Sequence, residues 1–133
     1  MRSNVGSRPG PRPCIAILDD EPEIAHIVTR TAQTCGYEPH VLRNGVELLA
    51  LVEQNPPAVV AIDLVMPGME GNEILLALRK SGAMPHVILM TGYGDAFLEP
   101  ARRLAGEALV GVLRKPFRDA ELRDLLLRAL PSS

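Results

Sequence analysis

Five short apolar runs, each followed by a segment whose apolar residues recur every three or four positions, restrict this chain to very few folds. "CIAIL" (14–18) is continuously apolar, as a strand buried on both faces must be. From Pro22 the period changes: Ile24, Ile27, Val28, Thr31 and Cys35 fall at helical spacing, and Gly36 follows as a stop. Pro22 suits the first turn of that helix, where no amide hydrogen is required. "PHVLR" (39–43) reads as a second, shorter strand. Asn44-Gly45 opens a helix with Leu48, Leu49 and Val52 on one face, closed by Asn55-Pro56-Pro57. "AVVAID" (58–63) is another fully apolar strand, ending on a carboxylate. "PGMEG" (67–71) reads as a loop, and Ile74, Leu75 and Leu78 mark a helix ending near Ser81-Gly82. "HVILMTG" (86–92) is a strand and turn, and Phe97, Ala101, Leu104 and Ala105 mark the next helix. "LVGVLRKP" (109–116) is the last strand, and Leu122, Leu125, Leu126 and Ala129 line the final helix. Strict alternation of this kind predicts an α/β domain with a parallel sheet covered by helices on both faces. Right-handed crossovers leave few topologies. In such sheets ligands bind beyond the carboxyl ends of the strands, where strand order reverses.

At 133 residues the chain is most simply one domain, long enough to bury a full core. With two Tyr, two Phe and no Trp, that core is aliphatic. A formal charge of −2 gives no general reason to expect nucleic acid or an anionic membrane as partner. Residues 1–13 hold three prolines, two glycines and no apolar period, so a disordered leader is expected, with 14–130 as the folded domain. Its arginines, Arg2, Arg8 and Arg12, read as part of a solvated tail. Cys14 and Cys35 lack metal-ligand or CxxC spacing, which fits a reducing compartment. The N-terminus lacks the apolar centre of a signal peptide, and no segment is long and apolar enough to span a bilayer, so the cytoplasm is the expected location. His26, His40 and His86 fall in different elements without ligand spacing and read as surface or boundary residues. "GYG" (92–94) is too short for a nucleotide loop.

The chemistry gathers at the strand ends. The first strand ends on Asp19-Asp20-Glu21, the third on Asp63, the fourth on Thr91-Gly92 and the fifth on Lys115-Pro116. Adjacent carboxylates repel one another, more so where partly desolvated. A hard divalent cation such as Mg²⁺ relieves that repulsion and takes oxygen ligands. Lys115 is a compact positive charge for a carboxylate or phosphoryl oxygen, and Thr91 offers a hydroxyl donor. Asp63, alone at its strand end, is placed to act as a nucleophile toward phosphorus. Acids at a helix N-terminus also serve as caps, and Glu21 reads as that.

"ILDDE" (17–21), "IDLVMPGMEG" (62–71), "MTGYGD" (90–95) and "LRKPF" (113–117) occur in order, each at a predicted strand end. On these four pieces the chain resembles a two-component response regulator receiver domain over roughly residues 14–130. The resemblance implies a flavodoxin-like, doubly wound, five-stranded parallel sheet in the order 2-1-3-4-5 with five helices. It implies that Asp63 accepts a phosphoryl group from a phosphohistidine on a sensor histidine kinase or histidine phosphotransfer protein. It further implies that Asp20 binds Mg²⁺ directly with Asp19 in support, and that Asp63 and the backbone carbonyl of Val65 complete the protein ligands. Thr91 and Lys115 would contact the phosphoryl oxygens, Met66-Pro67-Gly68 would shape the loop beside the acceptor, and Lys115-Pro116 would be cis. A receiver catalyses only its own phosphorylation and dephosphorylation. With the chain ending at Pro131-Ser132-Ser133, output is expected by contact with a downstream protein, as a diffusible effector, a relay intermediate or a receiver excised from a longer protein. The resemblance also admits a homodimer through the face of the fourth helix, fifth strand and fifth helix.

Two departures and two rival functions stand beside this reading. Many receivers carry an aromatic residue three positions before the lysine, and here that position is Val112, which has no ring to swing. Tyr93 and Val65 stand where receivers vary, and as a bulky pair they are expected to shield the acyl phosphate from water. The segment from Thr91 to Lys115 is slightly long, with Gly106 and Gly111 bracketing "EALV". A receiver-like scaffold that is never phosphorylated is one rival, opposed by the intact acids, Thr91 and Lys115. A Mg²⁺-dependent phosphatase with an aspartyl nucleophile is the other. The haloacid dehalogenase family requires a second acid two residues after the first, where this chain has Val65.

Overall fold

The computed structural model describes residues 12–66, 69–92 and 98–130, with the side chains of Val65, Met66, Met69 and Glu70 outside the description. Five parallel strands form the main sheet: β1 (Cys14–Leu18), β2 (Glu38–Leu42), β3 (Val59–Asp63), β6 (His86–Thr91) and β7 (Leu109–Arg114). Their order is β2-β1-β3-β6-β7, the expected 2-1-3-4-5 arrangement. The helices are α1 (Pro22–Thr34), α2 (Gly45–Gln54), α3 (Gly71–Ser81), α4 (Leu98–Ala105) and α5 (Asp119–Arg128).

Strand alternation divides the core into two layers. Ala16, Leu18, Val60, Ile62, Val87 and Leu89 face α2, α3 and α4. Ile15, Ile17, Val59, Ala61, Ile88 and Met90 face α1 and α5. Burial on both faces is why β1 and β3 are apolar without interruption. Each helix buries one stripe, such as Ala25, Val28, Thr31 and Ala32 of α1 or Leu122, Leu125 and Leu126 of α5. Pro22 occupies the first turn of α1, as its missing amide hydrogen favours. Asn44 caps α2, its Oδ1 accepting from the Glu47 backbone N–H at 2.9 Å.

Several boundaries differ from the sequence expectation by a residue or two. β2 begins at Glu38 rather than Pro39, β3 at Val59 rather than Ala58, and β7 ends at Arg114. The Pro13 carbonyl, in the expected leader, accepts from the Glu38 N–H at 2.8 Å, so the hydrogen-bond ladder starts there. Residues 1–11 lie outside the described residues, as do Pro67-Gly68, Tyr93, Phe97 and Pro131–Ser133. Around the expected "PGMEG" loop the described residues are regular. Val65–Met66 (β4) and Met69–Glu70 (β5) pair antiparallel, and Gly71 already belongs to α3. Two residues per strand leave no alternation for a sequence pattern to display.

Two irregularities fall between Thr91 and Lys115. After α4 the chain makes a 3₁₀ turn, Gly106–Ala108, in which Gly106 takes φ +56°. Arg79 of α3 donates from Nε to the Leu104 carbonyl at 2.7 Å, satisfying a carbonyl left without a partner at the end of α4. A Cβ on Gly106 would stand 2.8 Å from Arg79 Nη2. β7 then carries a bulge: Val87 pairs with Leu109 and Ile88 with Gly111, which leaves Val110 unpaired in the register. Val110 packs into the α1–α5 layer. Gly111 turns the same way, where an added Cβ would come within 2.6 Å of Leu125 Cδ2. Val112 packs into the opposite layer, against the core that includes α4.

Candidate functional site

The carboxyl ends of the parallel strands lie on one edge, so residues distant in sequence become neighbours. Strand order reverses between β1 and β3, and Asp19 and Asp63 stand at those two ends. Asp19, Asp20 and Asp63 each offer a carboxylate oxygen, and these oxygens lie within 4.8 Å of one another. Asp19 and Asp63 are buried, whereas Asp20 is exposed. Among the described residues this is the group of acidic, histidine or cysteine side chains placed to hold a metal ion. His26, His40 and His86 stay apart, in α1, β2 and β6.

Lys115 reaches into this acidic group from just beyond β7. Its Nζ lies 2.8 Å from Asp19 Oδ2, 2.7 Å from Glu21 Oε1 and 3.1 Å from Asp63 Oδ2. Burial alone would lower the ammonium pKa, but the three carboxylates more than offset this and raise it. Lys115 is therefore a fixed positive charge. Its backbone N–H donates to the Thr91 carbonyl at 2.7 Å. The Lys115-Pro116 peptide is cis, as the resemblance implied. Thr91 ends β6 and is 4% exposed.

Glu21 is where the structure adds most to the sequence reading. It occupies the N-cap position of α1, but its side chain makes no capping hydrogen bond. Its carboxylate accepts from Lys115 Nζ instead, across 94 residues of chain. Asp19 sets this up, because its Oδ1 accepts from the Glu21 backbone N–H at 2.8 Å. The signal was present in the sequence as the third acid of a run, but its partner was not.

The donor set fits a hard divalent cation. The other oxygen of Asp19, Oδ2, is buried and lies in ion contact with Lys115 without a directed hydrogen bond. A buried carboxylate oxygen with spare acceptor capacity, beside two further carboxylates, is what an oxygen-preferring ion requires. Val65 enters β4 two residues after Asp63.

A five-stranded parallel sheet in this order, with buried acids and a lysine converging at its switch point, is the architecture of a signalling receiver. The family model for the response regulator receiver domain matches residues 15–127, and the chain belongs to that family. It is a receiver domain of two-component signalling. Among its relatives is the sporulation initiation phosphotransferase F of Bacillus subtilis, 30% identical over 118 residues that cover 88% of this chain and 93% of that protein. The sensor kinase CckA of Brucella abortus is 36% identical over 106 residues, 77% of this chain but 11% of that protein. Of solved structures, the chemotaxis response regulator CheY4 of Vibrio cholerae superposes with a TM-score of 0.77 at 26% identity, covering 90% of this chain and 99% of that one. The chain thus spans nearly all of some relatives and a small part of others. Among the described residues no helix is long and apolar enough to cross a membrane.

Proposed function

We propose that this receiver is a phosphorylation switch with Asp63 as its acceptor. An oxygen of the Asp63 carboxylate attacks the phosphorus of a phosphohistidine on a sensor histidine kinase or histidine phosphotransfer protein. The P–N bond breaks, its electron pair returns to the imidazole nitrogen, and an acyl phosphate forms on Asp63. The observation that carries this reading is the Lys115 ammonium held between buried Asp19 and Asp63 at the switch point of the sheet. Phosphoryl transfer is driven mainly by positioning and neutralisation of charge on the equatorial oxygens. Lys115 and Thr91 would contact those oxygens. Asp19, Asp20, Asp63 and the Val65 backbone carbonyl would hold Mg²⁺. That ion, when bound, supplies the positive charge that lets a phosphoryl anion approach the acids.

On this reading the chain catalyses no reaction beyond its own phosphorylation and dephosphorylation, and signals through contact with a downstream protein. The expected self-association surface is α4–β7–α5. The test is intact mass after incubation with Mg²⁺ and acetyl phosphate, beside Asp63→Asn. A gain of one phosphoryl group that requires both Mg²⁺ and Asp63 is expected. No gain in the wild type would overturn the reading in favour of a scaffold.

A further inference from the structure

Three carboxylates hold Lys115, and they differ in what each can do when a phosphoryl group arrives. The Asp19 side chain is 0% exposed and tied to the Glu21 backbone N–H. It has no solvent to move into. Asp63 is itself the acceptor on the reading above. Glu21 is 59% exposed, joins Lys115 through a single oxygen at 2.7 Å, and makes no capping hydrogen bond to α1. Unlike the carboxylate of Asp19, that of Glu21 already stands in water and can leave Lys115 without moving through the core. It is also an exposed negative charge at a site where acids already outnumber Lys115.

We propose that Glu21 is a positioning residue that occupies Lys115 in the unmodified protein and is exchanged for a phosphoryl oxygen when Asp63 is modified. The inference rests on the phosphoacceptor reading. The Glu21 carboxylate competes with the phosphoryl group for one ammonium, so it slows loading and sets the threshold of the switch. The exchange conserves the lysine's charge pairing: one carboxylate oxygen leaves and one phosphoryl oxygen replaces it. Asp19 keeps its contact and holds the lysine at the site throughout. In a chain with Val112 in place of a ring, the release of Glu21 is a change at the start of α1 that accompanies phosphorylation.

The test compares wild type with Glu21→Gln, which keeps the side-chain shape and removes its charge. Phosphorylation by acetyl phosphate is followed by intact mass at saturating Mg²⁺ and at low and high salt. Glu21→Gln should load about three- to tenfold faster at low salt, and the advantage should shrink as salt screens the exposed charge. In parallel, the carboxyl carbon of Glu21 in the wild type is followed by NMR, and should move to the position of a free glutamate on phosphorylation. Equal rates for the two proteins, or a Glu21 carbon that does not move, would overturn the exchange while leaving Asp63 as acceptor. A wild type that gains no phosphoryl group would overturn the acceptor reading and the exchange with it.

Discussion

The Tyr37 hydroxyl donates a 2.6 Å hydrogen bond to the carbonyl of Leu126, 89 residues further along the chain. Leu126 lies in the last turn of α5, where carbonyls have no helical partner, so the phenol supplies a cap from another part of the fold. Tyr37 is wholly buried, and it joins the connection between α1 and β2 to the last helix. Tyr37→Phe keeps the ring and leaves the carbonyl unsatisfied, which should cost about 1–2 kcal/mol. Urea unfolding measures it. A loss below a few tenths would mean that water reaches the carbonyl.

The same burial pushes the Tyr37 phenol up to about 12 from its ordinary 10.0, with the neighbouring Cys35 adding to the shift. The folded state therefore favours the neutral phenol. Its contribution to stability is full below pH 10 and is lost as pH rises toward 12. Ultraviolet titration of Tyr93→Phe, which leaves Tyr37 as the sole tyrosine, should give a midpoint well above 10. A midpoint at 10 would show the hydroxyl open to solvent.

Lys115→Ala removes the ammonium that separates Asp19, Glu21 and Asp63. Breaking such a partly buried network should cost about 2–4 kcal/mol. Added Mg²⁺ should raise the melting temperature of this variant more than that of the wild type, because a bound cation restores the missing charge. Equal shifts in the two proteins would mean that the ion binds away from these acids.

Gly111→Ala places a methyl group against Leu125, whose Cδ2 and Cδ1 lie 2.6 and 3.0 Å from the new Cβ. Overpacking of this kind costs about 1–3 kcal/mol. Leu125→Val in the same chain should recover part of the loss, giving a coupling energy that a double-mutant cycle detects. Strict additivity would place the strain in the backbone of β7 rather than against α5.

The sheet was legible because its strands are buried on both sides. β1 and β3 can tolerate no polar residue except at their ends, so "CIAIL" and "AVVAID" mark themselves to within a residue. Asp19, Asp63, Thr91 and Lys115 were legible for the same reason, since parallel strands bring their carboxyl ends to one edge. What stayed hidden depends on three-dimensional neighbours. The β4–β5 ribbon is too short to show a period. Glu21 looked like a helix cap because local sequence contains no trace of Lys115. Gly106 and Gly111 signalled irregularity, but whether a turn, a bulge or both would result depended on Arg79 and Leu125.

The bulge in β7 also works as a parity correction. A strand presents its residues in twos, and one unpaired residue reverses the assignment of sides for all that follows. With Val110 out of register, Val112 and Leu113 pack against opposite layers of the core, and Lys115 arrives at the acids. Pairing Val110 in the ladder instead would leave every downstream residue chemically intact and half a strand period out of phase. The ammonium's address is thus written five positions upstream of it, in a valine that makes none of its contacts.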